Sequence, residues 1–308
     1  MGVTLGAILF GRTARTFRER AASLEELGFG SFSVGDHLAH FPPLAACAAI
    51  ARGTERARVG PLVLNNDFRN PSVLAREAVA LSELANGRFE LGLGAGYARR
   101  EYEWAGIRYD PGPVRIERLS EAAQILSGLF AGDEVTLHGK HYTVQADALR
   151  DRPHRVPLLI GGNSPAVHAI AARSADVLNL IGLSPKRGGS VEDLSDFSTG
   201  ALDRQLNALQ TFERAVEGEL ERQVLVQWHH VTDDRDGAAE QAAAVLGVPP
   251  RVVLNSPYVL IGNRGEIAAQ LHDHHTRFGI TRFSIFADRP DLQPGEQLAP
   301  VLRELGDA

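Results

Sequence analysis

An adjacent aspartate and histidine form the pair best suited to proton transfer in this chain. Asp36 and His37 end the segment SVGDH, directly after a short apolar run. A neutral imidazole can give or take a proton near physiological pH, and an adjacent carboxylate can orient the ring or stabilise its cationic form. The pair predicts acid–base chemistry at His37, with Asp36 as its partner. The alternative is that Asp36 caps a turn and His37 only packs.

Two glycine-containing segments, LGLGAGY and LLIGGNS, could hold a ligand against bare backbone. Glycine lets a flat ring or a phosphate approach the chain closely, and the amides at a helix start can bind phosphate. The order of strand and then glycines lacks the spacing of a dinucleotide fingerprint, which argues against a Rossmann fold. The alternative is plain packing of a strand on a helix. The candidate binding residues are Gly94, Ala95, Gly96, Tyr97, Gly161, Gly162 and Asn163.

A third segment, VLNNDFRNP, follows another apolar run. Asn65, Asn66 and Asp67 tolerate unusual backbone angles and offer short polar side chains. A bulge at this point could press on a ring-shaped ligand, and a cis non-prolyl peptide is one way to form it. The alternative is an ordinary Asx turn.

Short apolar runs alternate with helical patterns along the chain, which is typical of parallel βα units. In one unit, Asn70 and Pro71 are expected to begin a helix that Gly87 ends, and Gly28 and Gly279 are placed in the same way. We predict a single α/β domain over residues 1–308, a (β/α)8 TIM barrel. Its eight strands are predicted at residues 3–9, 31–35, 57–64, 88–93, 156–160, 177–181, 224–231 and 281–286.

Insertions are expected after the fourth and sixth strands, at residues 97–113 and 183–200. The second contains Gly188, Gly189 and several serines, and we expect it to act as a mobile lid. Residues 134–144 alternate like a small hairpin outside the barrel repeat, with an expected capping or dimerising role. On the seventh strand, His229 and His230 face opposite sides, so at most one points into the barrel.

Composition limits the partners to expect. A net charge of -6 and a pI near 6.0 give no reason to expect nucleic acid or an anionic membrane. Cys47 is the only cysteine and lies in an apolar run, and the first residues resemble neither a signal peptide nor an anchor, which fits a cytoplasmic protein. No metal site is expected, because the histidines at 272, 274 and 275 lack a completing carboxylate pattern.

Together, these segments resemble the bacterial luciferase-like superfamily of flavin and deazaflavin oxidoreductases, and most closely its probable F420-dependent oxidoreductases. The resemblance covers about the first 180 positions and is carried by ELGFGSFSVGDH, ERARVGPLVL, NPSVLAREAVALSEL, NGRFELGLGAGY, PLLIGGNS and AARSADVLNLIG. It implies a ring cofactor over the strand ends, with His37 beside its reactive face. Residues 94–97 and 161–163 would hold the ribityl and phosphate part. Behind the ring, a segment that typically contains a non-prolyl cis peptide would include Leu62, Val63, Asn65 and Asn66.

The resemblance implies hydride transfer between C5 of the deazaflavin F420 and a small organic substrate, and it makes a homodimer plausible. One alternative is an FMN-dependent monooxygenase, and another is a barrel that binds a flavin or deazaflavin without turnover. Sugar-phosphate dehydrogenases of this superfamily have a glutamate where this chain has Tyr97, and the lysines expected for a sugar phosphate are missing. Glucose 6-phosphate is therefore not the expected substrate.

Overall fold

The computed structural model of the chain describes residues 2–149, 154–185, 192–212, 218–290 and 292–306. Its strands are β1 (Thr4–Ile8), β2 (Ser31–Val34), β3 (Arg58–Pro61), β4 (Leu64–Asn65), β5 (Leu91–Gly94), β6 (Val135–His138), β7 (Thr143–Ala146), β8 (Leu158–Gly161), β9 (Val177–Leu180), β10 (Ser184–Pro185), β11 (Glu192–Asp193), β12 (Glu221–Leu225), β13 (Trp228–Val231), β14 (Val259–Gly262) and β15 (Ile280–Phe286). Its helices are α1 (Ala14–Glu26), α2 (Pro43–Ala51), α3 (Pro71–Leu84), α4 (Arg99–Ala105), α5 (Gly112–Ala131), α6 (Pro165–Ser174), α7 (Thr199–Leu209), α8 (Arg235–Leu246), α9 (Pro250–Asn255), α10 (Arg264–Phe278) and α11 (Ala299–Gly306), with 3-10 turns at Asn66–Phe68 and Gly295–Leu298.

The predicted (β/α)8 barrel is confirmed. The parallel strands follow the order β3-β2-β1-β15-β12-β9-β8-β5-β4. The ring closes through the third predicted strand, which is divided in two: β3 pairs with β2, and β4 pairs with β5. Nearer the start of these strands, an isolated parallel bridge between Val59 of β3 and Phe89, just before β5, also joins the third predicted strand to the fourth. As a result, the carboxyl ends of all barrel strands surround a single mouth.

Local sequence signals set the helix limits as expected. Asn70 caps α3, because its side-chain oxygen accepts hydrogen bonds from the amides of Ser72 at 3.0 Å and Val73 at 3.4 Å. Beyond the end of this helix, Gly87 has a φ of 77°, a backbone conformation that favours glycine. The other two predicted helix-ending glycines also adopt positive φ, 103° at Gly28 and 63° at Gly279.

The seventh predicted strand is wrong in its second half. Residues 224–231 divide between β12, which belongs to the barrel, and β13, which leaves it to pair with β14, a strand that the sequence analysis missed. The departure occurs at Gln227, whose backbone amide bonds to the carbonyl of Tyr258 at 2.8 Å. His229 and His230 therefore lie on a side sheet and not on a barrel strand.

We expect His229 to make the fold sensitive to acid. The ring is buried, its Nε2 lies 2.8 Å from the carbonyl of Gln293, and burial lowers its pKa to about 4. In the unfolded chain this histidine is protonated near its ordinary pKa of about 6.5, whereas in the folded chain it stays neutral down to a pH of about 4. Its contribution to the free energy of unfolding is therefore complete above pH 6.5 and falls as the pH drops towards 4. The loss from this residue is about 3 kcal/mol at pH 4.

Urea unfolding at several pH values measures this effect. We expect His229→Gln to lose less stability between pH 7 and pH 4 than the unsubstituted protein. His272→Gln, at an exposed position on α10, should leave the pH dependence unchanged. An equal pH dependence in all three proteins would contradict the assignment to His229.

A buried ion pair crosses the barrel interior. The side chains of Arg282 on β15 and Glu90 next to β5 are each 4% exposed and form a bidentate contact, with Arg282 Nη1 at 2.9 Å from Glu90 Oε2. β15 and β5 are not neighbours in the ring, so the pair joins strands across the barrel. Burial alone would raise the pKa of Glu90, but the charge and hydrogen bonds of Arg282 hold it below its ordinary value.

The additions to the barrel are partly as predicted. The hairpin at residues 134–144 is confirmed as the antiparallel pair β6–β7, and Glu121 of α5 holds its turn through the amides of Lys140, His141 and Tyr142. The insertion after the fourth barrel strand contains α4. Residues 186–191 of the expected lid, including Gly188 and Gly189, lie outside the described residues. Within the described ranges, every helix falls short of the length and apolar character that a membrane span requires.

Candidate active site

The mouth of the barrel brings together the segments that the sequence analysis selected. Residues 36–40 follow β2, residues 62–66 follow β3 and include β4, residues 95–97 follow β5, and residues 161–163 begin at the last residue of β8. These strands are consecutive in the ring. Because parallel strands point the same way, the four segments lie side by side at their carboxyl ends.

His37 is held at the mouth by a carboxylate from the insertion after β5. Its Nδ1 lies 2.8 Å from Oε1 of Glu101, the third residue of α4. Because a carboxylate only accepts, Nδ1 carries the hydrogen and Nε2 is left to exchange a proton with a ligand. The His37 side chain is 34% exposed, and Tyr97 meets the ring edge-on, with 6.2 Å between the ring centres.

Glu101, and not Asp36, is thus the carboxylate beside His37. Asp36 is buried and instead accepts hydrogen bonds from Arg69, Nη1 at 2.5 Å and Nη2 at 3.2 Å, and from the amide of Asn65 at 2.9 Å. These contacts tie the β2 end to the β3–β4 segment. The structure gives Asp36 a positioning role, and its expected catalytic role stays a prediction.

The β3–β4 segment contains the expected non-prolyl cis peptide, between Leu62 and Val63. The Asx turn, which the sequence analysis gave as the alternative for this segment, is present as well, because Asn65 Oδ1 accepts a hydrogen bond from the amide of Asp67 at 3.1 Å. The neighbouring Asn66 is buried, and its side-chain amide donates to the hydroxyl of Tyr142 at 3.3 Å.

The glycines at the strand ends serve a purpose that the sequence analysis did not foresee. A Cβ on Gly94 would lie 2.7 Å from Cγ2 of Val63, and one on Gly161 would lie 3.0 Å from Cγ1 of the same valine. A Cβ on Gly92 would lie 2.1 Å from the carbonyl oxygen of Pro61. The space beside these glycines is therefore occupied by the β3–β4 segment, which they allow to approach closely.

The loop after β5 is clamped by side chains from α4 and α5. Gly96 has a φ of 73°, and a Cβ there would lie 2.2 Å from the hydroxyl of Tyr102. Burial raises the pKa of Tyr102, so its phenol stays protonated, with Asn65 Oδ1 and Asp67 Oδ2 within 3.1 Å. From α5, Arg115 Nε donates to the carbonyls of residues 95 and 96, each at 3.3 Å.

The segment after β8 leads into the N-terminus of α6. Asn163 is buried: its Nδ2 donates to the carbonyl of Leu183 at 2.7 Å, and its Oδ1 accepts from the amides of residues 181 and 182. The side chain thus ties the loops after β8 and β9 together. Gly162 has a φ of 155°, and its carbonyl lies 3.0 Å from Nε2 of His168. Ser164 caps the helix through the amide of residue 167. Pro165 has no N–H and the amide of Val167 is bonded to Ser164, so the attraction of this helix start for an anion comes from the amide of Ala166 and the helix dipole.

Sequence similarity assigns the chain to a known protein family. The sequence model described as luciferase-like monooxygenase matches residues 3–282. The chain belongs to the luciferase-like monooxygenase family. Among curated relatives, it is 37% identical over 162 residues to the F420-dependent glucose-6-phosphate dehydrogenase of Microbacterium testaceum, covering 49% of this chain and 48% of that protein. The chain spans about half the length of the curated relatives it matches.

Solved structures show the same luciferase-like fold. An F420-dependent secondary alcohol dehydrogenase in complex with an F420-acetone adduct superposes with a TM-score of 0.76 at 20% identity, covering 99% of each chain. The FMN-bound oxygenating constituent of 3,6-diketocamphane monooxygenase from Pseudomonas putida superposes with a TM-score of 0.68 at 18% identity, covering 98% of this chain and 97% of the other.

Proposed function

We propose that this luciferase-like protein is an oxidoreductase that uses F420 and moves a hydride between C5 of the deazaflavin and a small organic substrate. The observation that carries the proposal is the mouth itself, where Glu101 fixes the tautomer of His37, whose side chain is one third exposed. The curated relatives named as F420-dependent dehydrogenases support this choice of cofactor.

The residues at the mouth fit a flat ring with an anionic tail. Leu62, Val63 and Ala95 are partly exposed there, which gives the ring an apolar surface. The start of α6 suits the phosphate, because the helix dipole and the amide of Ala166 favour negative charge there. We infer that residues 62–66 lie behind the ring, and that residues 94–97 and 161–163 hold its tail.

When bound, F420 supplies the carbon that takes up or gives the hydride. The chain's own residues provide position and proton exchange. His37 Nε2 gives or takes the proton at the substrate oxygen, and Glu101 stabilises the imidazolium form of the ring. Asp36 and Arg69 hold the end of β2 against the β3–β4 segment.

Glu101→Gln tests the link between this carboxylate and His37. A glutamine keeps an acceptor for Nδ1 but removes the charge, and a charge-assisted hydrogen bond is stronger than a neutral one. We expect kcat for hydride transfer to fall about tenfold, with KM and F420 affinity unchanged. Glu103→Gln, at an exposed position of α4 paired with Arg99, is the matched control. A raised KM with an unchanged kcat would contradict the positioning role.

Reconstitution with each cofactor tests the proposed function. Dissociation constants for F420 and FMN are measured on the same protein, followed by anaerobic single-turnover hydride transfer with reduced F420. We expect F420 to bind more tightly and to react. Tight FMN with weak F420 would favour the monooxygenase, which the FMN-bound structural neighbour makes the second candidate. Tight F420 without hydride transfer to any substrate of a broad panel would favour the non-catalytic barrel.

We also propose that the protein is a homodimer. We propose further that it acts on a small-molecule substrate in a reducing cytoplasm. Burial raises the pKa of Cys47, so this thiol stays protonated and unreactive. Light scattering of the purified protein measures the oligomeric state.

A further inference from the structure

A continuous row of rings lies along one side of the barrel mouth. We call it the aromatic row. Adjacent ring centres are 5.4 to 6.3 Å apart, within the range of aromatic pairs. Its members, in order, are Phe286, Phe10, His40, His37 and Tyr97.

Except for Tyr97, which belongs to the segment after β5, the row occupies a different sector of the mouth from the glycine segments. Phe286 ends β15, Phe10 follows β1, and His40 follows β2, and these strands are consecutive in the ring. The segments assigned to the cofactor follow β3, β5 and β8. If the proposed function holds, the sector after β15 and β1 remains for the substrate, with His37 at the boundary between the two.

Phe10 and Tyr97 are exposed residues, with 37% and 54% of their surface accessible. Exposed aromatic surface that is continuous with a catalytic group is typical of a ligand site. Arg289 lies over the outer ring of Phe286, with 5.0 Å from its guanidinium carbon to the ring centre. The carboxylate of Asp36 is neutralised by Arg69. The rings of Phe286, Phe10 and Tyr97 thus offer apolar surface on either side of the two histidines.

We infer that the aromatic row is the substrate wall and that it selects an uncharged ketone carrying an aromatic or alicyclic ring, or the corresponding alcohol. This inference rests on the proposed function. The substrate ring packs against Phe10, and its oxygen points to His37 Nε2. In reduction, the hydride joins the carbonyl carbon, the C=O electron pair moves to oxygen, and oxygen takes the proton from Nε2, while reduced F420 is oxidised by two electrons.

Calorimetric titration with acetophenone tests the wall on the F420-loaded protein. We expect acetophenone to bind, Phe10→Ala to weaken it about tenfold, and Phe10→Leu to weaken it less, because leucine keeps apolar surface without a ring. Val73→Ala, at an exposed apolar position of α3, is the control and should change nothing. Glucose 6-phosphate should not displace acetophenone. Circular dichroism verifies folding, and Phe286→Leu replaces Phe10→Ala if that variant unfolds.

The outcomes separate this inference from the proposed function. The aromatic row is not the substrate wall if acetophenone binds equally well to the Phe10 variants and the unsubstituted protein, or if glucose 6-phosphate displaces acetophenone. F420 affinity is read from the cofactor's fluorescence in the same samples. If F420 does not bind, the proposed function fails, and the same titrations on the cofactor-free protein still decide whether the aromatic row binds the ring.

Discussion

His37→Asn is expected to slow hydride transfer by about 10²- to 10⁴-fold, the usual contribution of a general acid–base group. Asparagine places an amide near the position of Nδ1, so it can keep the hydrogen bond to Glu101, but it cannot exchange a proton. The side chain is one third exposed, so the substitution leaves no cavity in the core. F420 affinity should therefore change little.

Single-turnover transfer from reduced F420, followed anaerobically by the cofactor's absorbance, measures this effect. The matched control is His138→Asn on the hairpin strand β6, where the histidine is exposed and remote in sequence from the mouth segments. Unchanged transfer in His37→Asn with intact cofactor binding would remove His37 from the chemistry.

The second large effect concerns the buried pair inside the barrel. Arg282→Met is expected to lower the free energy of unfolding by about 3 to 5 kcal/mol, because it leaves Glu90 buried without its bidentate partner. Arg277→Met is the control. Arg277 is 55% exposed and pairs with Asp203 at the surface, so its loss should cost at most about 1 kcal/mol.

Urea unfolding of the two arginine variants measures the difference. Arg282→Met combined with Glu90→Leu should recover much of the lost stability, because the uncompensated charge is then also removed. Similar losses in the Arg282 and Arg277 variants would show that the pair contributes no more than a surface contact. A double variant as unstable as the single one would point to lost packing instead.

The barrel was predictable because its signals are local. Apolar runs, the cap at Asn70 and the glycine at Gly87 each act within a few residues, and each strand end placed its loop at the mouth. The positions of His37 and of residues 62–66 followed from that placement alone. The division of the seventh strand was not predictable, since β13 follows β12 after only two residues and its partner β14 is distant in the sequence.

The site's contacts were missed for a different reason. Glu101, Tyr102 and Arg115 form hydrogen bonds with residues that are distant along the chain, and no nearby sequence pattern indicates those partners. The only signal was their place in or just after the insertion that follows the fourth strand. Adjacency in sequence was misleading for Asp36, because neighbouring residues at a strand end point to different sides. Its carboxylate faces Arg69, while His37 faces Glu101.

A crystal structure of the protein with F420 is the most direct measurement of the central claim, that the barrel mouth holds a deazaflavin beside His37. We expect the ring to lie against Val63 with C5 facing the side of His37, and the phosphate to lie at the start of α6. A ring bound outside the mouth, or a His37 side chain turned away from it and still paired with Glu101, would contradict the proposed function.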